Sequence, residues 1–518
     1  MSQYDDIVIG AGHNGLICAN YLALTGRKVL IIEASEDIGG LARRYQFHPR
    51  FHTSVAQTLN QFSEKVARDL QLKKYGCTFA TQSVAETGLS SDGKHVRIDG
   101  ESITGVSTTD ALQFANYRAM TKQFARLLAP FWLKTIPRIG LAGIRNNLTF
   151  AHLGLKLRLL GKRAMGEFMR VATLPTRDLM DEYFDSEPLK ALLSWDALLG
   201  SRMAPRSPNG SIMTLLYKMS GKNEGFHYLP QSGGLDALVE SLRKSAEAAG
   251  VKIRTNTPVS TIIIEGTQQG QTATGVQLAS GEIIYAQNII SAIDPKRTFL
   301  DLVGAAHLDI EFTNRISRLR TDGLVAKLHL ALDGLPEFTG LQRPDGRLLI
   351  APTQDAIEFA YDDAKYGYAP KKPVIEMFVP SLYDSDMAPE GSHVLSANIM
   401  YVPYTHRTGW NDDNKDALYQ TILNEIEQYV PNIRKHIVHG ELLTPEDIEH
   451  KFNVTGGHWH HGELSMWQML MMRPTYEAAQ YATPITGLYL CSAGCHPGGG
   501  ISGAAGHNAA QQILKANR

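Results

Sequence analysis

The sequence predicts an α/β fold: a Rossmann-like dinucleotide-binding domain built from both chain ends, with an inserted α+β substrate domain and a helical, basic cap. Three observations predict it. Residues 4–40 read as strand, glycine-rich turn, helix, strand and glycine pair. Residues 233–264 read as Gly-Gly-Leu, an amphipathic helix, a glycine and two short strands. Residues 487–508 repeat the strand–glycine–helix pattern at the other end.

In the first unit, Ile7, Val8 and Ile9 form a short apolar β run that stops at Gly10. Gly10, Gly12 and Gly15 give G-x-G-x-x-G, and a helix opens there through Leu16, Ile17, Ala19, Tyr21 and Leu22 to Gly26. Val29 to Ile32 is the next strand, with Glu33 at its carboxyl end. Gly10 suits the tight turn, Gly12 the close approach of a pyrophosphate, and Gly15 close helix–strand packing. The helix N-terminus offers N–H groups to phosphate, and Glu33 can accept from a ribose hydroxyl. NAD and FAD both use such a unit. Gly39-Gly40 just after Glu33, with Arg43 and Arg44 beyond, resembles flavoproteins of the phytoene desaturase and amine oxidase type and favours FAD. The expected contacts are Gly10, Gly12, His13, Asn14, Gly15, Glu33, Ala34, Gly39, Gly40, Leu41 and Ala42.

The chain of 518 residues is long enough for about three domain-sized units and a large core. Hydrophobic residues at 43%, charged residues at 20% and a net charge of −1 exclude a disordered or broadly nucleic-acid-binding protein. Cys18, Cys77, Cys491 and Cys495 offer neither a zinc spacing nor a C-x-x-C redox pair. A disulfide framework is not expected, and a reducing compartment is. The first strand begins within a few residues of Met1, so no signal peptide is expected. No window reaches about eighteen uninterrupted apolar residues, so no transmembrane helix is predicted. The expectation is a cytoplasmic or organelle-matrix protein.

After Gly40, Ser63 to Leu72 reads as a helix on Val66, Leu70 and Leu72, and Cys77 to Ile98 as β segments broken at Ser90–Gly93. Residues 118–170 carry Arg118, Lys122, Arg126, Lys134, Arg138, Arg145, Lys156, Arg158, Lys162, Arg163 and Arg170 against the single acid Glu167. Apolar residues recur at helical spacing at Met120, Phe124, Leu127, Leu128 and Phe131, and again at Leu153, Leu157, Leu160, Ala164 and Phe168. Two readings stay open: an interfacial membrane segment, or a cap packed on the core with a solvated basic face. Leu179 to Leu199 continues as helix. Leu235 to Ala249 is amphipathic and closed by Gly250, followed by strands at Val251–Arg254, Pro258–Ile264, Val276–Leu278 and Ile283–Ala292. Residues from about 297 to 480 build a separate sheet-bearing domain, with Val325–Leu332 and Val374–Val379 its clearest strands and Asp416–Tyr429 a helix. The loop from Asp384 to Gly391 reads as polar and exposed. At the end, Leu488–Leu490 is a strand running into a glycine-rich loop and a helix opening near Ser502.

The expected division is 1–75, 226–300 and 481–518 for the FAD-binding domain, 76–225 for the substrate and cap region, and 301–480 for the substrate domain.

Several segments together carry a family resemblance: GAGHNGL at 10–16, the pair Gly39-Gly40, SEPLKA at 186–191, GGLDAL at 233–238 and AIDP at 292–295. GGHWHHGELSMWQMLMMRP at 456–474 and GLYLCSAGCHPGGGISGAAGHNAA at 487–510 complete it. The chain resembles the phytoene dehydrogenase-related flavoproteins, and among them the group named for a pyridine nucleotide–disulfide oxidoreductase domain. The resemblance implies non-covalent FAD, with Val259 meeting the adenine by its backbone and Gly494, Cys495, Pro497, Gly498, Gly500 and Ile501 facing the flavin end. Cys495 and His52 depart from the threonine and the acid usual in carotenoid desaturases, and the absence of C-x-x-C gives disulfide exchange no support.

A flavin carries the redox chemistry itself, so the sequence need supply no strong acid–base pair. The densest candidates are His458, Trp459 and His461 in GGHWHHG, with His461 at a recurring family position. No acid or cysteine completes a metal site there, and no metal is expected. The functional expectation is an FAD-dependent oxidoreductase of dehydrogenase or desaturase type acting on an apolar or amphipathic small molecule. A flavin amine oxidase, with Trp459 and Trp467 caging an amine, is the first alternative; an FAD-bound regulatory or partner-binding protein is the second. Expected partners are an apolar small-molecule substrate, an electron acceptor of undetermined kind, no nucleic acid, a membrane surface if 118–170 is interfacial, and further copies of the chain if it oligomerises.

Overall fold

Ile7–Ile9, the second half of the Tyr4–Ile9 strand, and the whole of Val29–Ile32 are apolar because both faces of their sheet are covered. The computed structural model describes residues 3–138, 144–208, 210–266 and 270–516. Within the basic stretch, residues 139–143 and the side chains of Arg145 and Leu153 lie outside the described residues.

Among the described residues, the first large sheet has a parallel core in the order Lys252–Arg254, Val29–Ile32, Tyr4–Ile9 and Ile283–Ser291. Leu488–Leu490 pairs in parallel with the end of Ile283–Ser291, through Ile289 to Ser291. The first half of that same strand turns antiparallel to Thr272–Leu278, which carries Val259–Glu265 outward. The His13–Ala23 helix packs against Ala504–Ala516 and Gly234–Ala248. A Cβ at Gly506 would overlap the Asn14 carbonyl, so the two chain-end helices cross at backbone contact. Ile7, Val8, Leu16, Ile17, Leu30 and Ile31 anchor this core, all with no measurable exposure.

The second sheet runs Ile437–Leu443, Val325–Leu332, His393–Met400, Ile375–Phe378, Arg347–Ile350, Glu86–Gly88, Val96–Asp99 and Ser102–Thr104. It corrects the expectation of a self-contained domain at 297–480. Three of its strands come from the 76–225 region, and Arg347–Ile350 pairs in parallel with Glu86–Gly88. Two further expectations are corrected. The helix expected over Leu179–Leu199 is two, Thr176–Tyr183 and Glu187–Leu198. Ser186 starts the second by accepting the Leu189 N–H, with Pro188 in its first turn, where a missing N–H does no harm. The Asp384–Gly391 loop is not simply exposed: Asp384 and Met387 are buried, Asp384 pairs with Arg44, and Met387 packs with Phe51, Ala331 and Val394.

The basic helices divide as well. Thr108–Leu128 buries Phe124, Leu127 and Leu128 and pairs Lys122 with Glu101 and Glu224, and Arg126 with Glu224. It is a packed cap. Ile144–Leu159 behaves differently, leaving Leu148, Leu155 and Leu159 exposed. No described helix is long and apolar enough to cross a membrane.

Candidate functional site: a cleft shared by the two sheets

A single cavity runs from the carboxyl ends of the first sheet to the face of the second, enclosing about 2330 Å³ of non-atom space with its mouth included. Its first half is the glycine-rich turn. Gly10, Gly12, His13 and Asn14 line it with Glu33, Ala34, Gly39, Gly40, Leu41, Ala42 and Val259. Glu33 closes the strand end: one oxygen accepts the Ala11 N–H at 2.7 Å and the other the Ser35 N–H at 2.9 Å. Each oxygen keeps a lone pair for a ribose hydroxyl. Gly12 has φ −65°, and a Cβ built on it meets nothing within 4 Å, so the space over the helix N-terminus is open. That opening, with the helix N–H groups and Glu33, fits the pyrophosphate and ribose of FAD.

From the C-terminal loop, Gly498, Gly499, Gly500 and Ile501 line the cavity. Four expected cofactor contacts do not. A Cβ at Gly15 would overlap the Gly10 carbonyl, so Gly15 faces the strand and serves packing. Gly494 backs onto Pro295. Cys495 is buried behind the loop, where burial pushes its thiol up to about 12. Pro497 follows His496, whose ring contacts the Phe131 carbonyl at 2.7 Å away from the cleft. Gly494, Cys495 and Pro497 shape the loop from behind. Gly499 was not singled out from the sequence, although it belongs to the same glycine run.

Among the candidate catalytic residues, Trp459 and His461 line the cavity and His458 does not. His458 instead supports the turn. Its carbonyl accepts the His461 N–H at 2.7 Å and its Nδ1 accepts the His460 N–H at 3.3 Å. His461 sits at φ +55°, in the left-handed region sparsely populated by residues other than glycine. Its Nδ1 and the Nε2 of His13 are buried without partners, and the His461 ring lies close enough to oppose protonation of His13. Burial and then His461 bring His13 down to about 4. Burial likewise lowers His461, against the pull of Asp294 and with the help of Arg473. Both shifts favour the neutral ring. Trp467 is half exposed under Arg320, so it makes no amine cage with Trp459.

Past the histidines the wall is apolar: Trp132, Leu199, Tyr217, Leu464 and Met469 line it, and Trp132 stacks on Tyr217 at 4.8 Å. The far end is charged, and the sequence reading missed it. Asp196, Lys218, His227, Glu376 and Asn398 line that end. Behind them Arg347 donates to Glu86 at 2.7 Å, to both oxygens of Asp196 at 2.7 and 3.0 Å, and to Glu376 at 2.7 Å. Burial works to raise the Asp196 carboxyl, but Arg347 and His227 overcome it and hold it well below the usual range. Glu86, Asp196 and His227 bring possible metal ligand atoms within 4.8 Å of one another. The cation among them is the Arg347 guanidinium.

The flavin-containing amine oxidoreductase family model matches residues 15–514. Pyridine nucleotide-disulfide oxidoreductase domain-containing protein 2 of Rattus norvegicus is 33% identical, over 99% of this chain and 94% of its own length. A limonene dehydrogenase component of Castellaniella defragrans is 26% identical, over 99% of this chain and 95% of its own. Among solved structures, an oxidoreductase from Methanosarcina mazei superimposes with a TM-score of 0.60 at 17% identity, covering 99% of this chain and all of that one.

Proposed function

The chain belongs to the flavin-containing amine oxidoreductase family and is an FAD-dependent oxidoreductase, and from that premise we propose that it dehydrogenates an apolar or amphipathic small molecule. Bound FAD would accept the hydride and pass electrons on to an external acceptor. The observation that carries the reading is the continuity of the cavity. One space holds the dinucleotide residues at its first end and, beyond His461, a wall of Trp132, Leu199, Tyr217, Leu464 and Met469. Gly10, Gly12, His13 and Asn14 would hold the pyrophosphate, Glu33 a ribose, Val259 the adenine side, and Gly498–Ile501 the flavin end. His461, at the passage from the dinucleotide end to that wall, would help position the reacting carbon. Dehydrogenation of a terpene, as the name of the Castellaniella relative describes for that protein, is chemistry such a wall suits. The amine oxidase alternative has less support, because Trp467 stands outside the cleft.

The test is direct. Purified protein should be yellow and release free FAD on denaturation. Anaerobic mixing with polyenes, amines and acyl compounds should bleach the flavin with a dehydrogenation substrate and not with amines. Bleaching by amines alone would overturn the dehydrogenase reading.

We further propose peripheral contact with an anionic membrane surface through residues 144–163. The exposed leucines of the Ile144–Leu159 helix, flanked by exposed Arg158, Lys162 and Arg163, support it.

A further inference from the structure

We propose that the charged far end of the cavity is a carboxylate subsite, in which Lys218 holds the acid group of an otherwise apolar substrate. The proposal rests on the dehydrogenase reading for the word substrate, and on the cavity alone for the binding.

Lys218 closes the Ser211–Lys218 helix and faces the cavity. Its ammonium donates to two backbone carbonyls, Asp196 at 2.7 Å and Leu199 at 3.3 Å. An ammonium has three donors. Among the described residues it makes no ion pair, although carboxylates line the same end. Those carboxylates are already taken. Asp196 receives Arg347 on both oxygens and His227 on one, and Glu376 receives Arg347 and Asn398. The cluster therefore has bound anions and, at Lys218, a cation with a donor to spare.

His460 stands beside Lys218 in the wall. It is 9% exposed, lines the cavity, and its Nδ1 has no partner. The Lys218 charge lies near enough to disfavour a second charge on that ring, which burial already opposes. The His460 Nδ1 lies against Gly200, where a Cβ would come within 2.8 Å of it, so the ring walls the space and leaves the donating to Lys218. A charged donor with an N–H to spare matches a carboxylate oxygen. An alkylammonium would meet Lys218 as a like charge and find Asp196 and Glu376 engaged. The burial that leaves Lys218 short of counter-charge also lowers it to about 8, against the pull of Asp196. A bound carboxylate would relieve that. The apolar wall of Trp132, Leu199, Tyr217, Leu464 and Met469 would take the rest of the molecule.

The experiment uses FAD-loaded full-length protein and three probes of matched chain: dodecanoate, methyl dodecanoate and dodecylamine. Binding is measured by calorimetry below micelle concentrations. Dodecanoate is expected to bind at least about tenfold more tightly than either other probe. Lys218→Gln, which keeps an N–H for the carbonyls, should bring dodecanoate to within about twofold of its ester at unchanged flavin content. Preference for the amine, equal binding of acid and ester, an unchanged affinity in Lys218→Gln, or no binding by any probe would each overturn the proposal. Should the variant fail to fold, the three probes on the natural protein decide. Flavin-free protein would sink the oxidoreductase reading while leaving this binding measurement valid.

Discussion

Arg473 donates from Nη2 to the His460 carbonyl at 2.6 Å, tying the histidine turn to the C-terminal glycine loop. The same guanidinium reaches the carbonyls of Gly462, Glu463, Gln468 and Ala493, so five backbone acceptors share one buried side chain. Among the described residues it has no carboxylate partner, and burial lowers it to about 10. Lysine carries three donors and cannot reproduce a fork serving five acceptors. Arg473→Lys is therefore expected to lose about 3 kcal/mol or more of stability, since each buried carbonyl left unpaired costs about 1–3 kcal/mol. Urea denaturation alongside flavin content checks this. A variant within about 0.5 kcal/mol of the parent, with full flavin, would show that water replaces the guanidinium.

Gly12 and Gly15 separate cofactor binding from folding. A Cβ on Gly12 enters open space at an ordinary φ of −65°, whereas one on Gly15 overlaps the Gly10 carbonyl. Gly12→Val is expected to keep the thermal midpoint of the flavin-free protein and to bind FAD at least about tenfold more weakly. Gly15→Val should fail to give folded protein. Normal flavin content in Gly12→Val would remove the pyrophosphate from that position.

Two parallel strands of the first sheet were legible because strands covered on both faces are written as continuous apolar runs. Val29–Ile32 and Leu488–Leu490 appear at the bounds read from sequence. The dinucleotide half of the cleft was legible because its chemistry is local, set by glycines and Glu33 within about twenty residues of each other. The charged end was not, because Asp196, Lys218, Glu376 and Asn398 come from separate elements that only the tertiary fold brings together. A weaker signal was present. Asp196 in LLSWDALL, Lys218 in MTLLYKM and Glu376 in PVIEMFV are each a lone charge in an apolar run. Such a charge must find a partner on burial, and three of them in one chain can converge on a polar site. Gly494 and Cys495 were misplaced for the opposite reason. Sequence proximity to a glycine loop does not say which side of the loop a residue faces.

Acid should weaken the fold through its buried histidines. Burial brings His458 down from 6.5 to about 3, with Arg473 and His461 adding to it. His496 falls from 6.5 to about 4, also through burial, against the Phe131 carbonyl that favours its protonated form. Below the unfolded value of 6.5 the unfolded chain takes up protons that the folded chain refuses. Stability is thus fully present above 6.5 and falls as pH drops towards 4, by about 1.4 kcal/mol per unit for each such histidine. His496→Gln is expected to remove about one proton from that slope. Urea midpoints of parent and variant between pH 7 and pH 4.5 check it. Identical slopes would mean that His496 takes up its proton in the folded protein.

Lipid contact through residues 144–163 should be confined to one helix face. Leu148, His152, Leu155 and Leu159 fall at i, i+4, i+7 and i+11 on the Ile144–Leu159 helix, and all four are exposed. The earlier basic helix cannot contribute its apolar face, because Phe124, Leu127 and Leu128 are already in the core. Full-length protein is expected to sediment with phosphatidylglycerol vesicles and to be released by salt, while neutral vesicles retain little. Each leucine transferred from water to the acyl boundary gains up to about 1.5–3 kcal/mol. Leu155→Asp with Leu159→Asp should therefore cut partitioning by at least about tenfold while leaving flavin content and thermal midpoint unchanged. Sedimentation that ignores salt, or a double variant that binds like the parent, would return these leucines to the status of an exposed helix face.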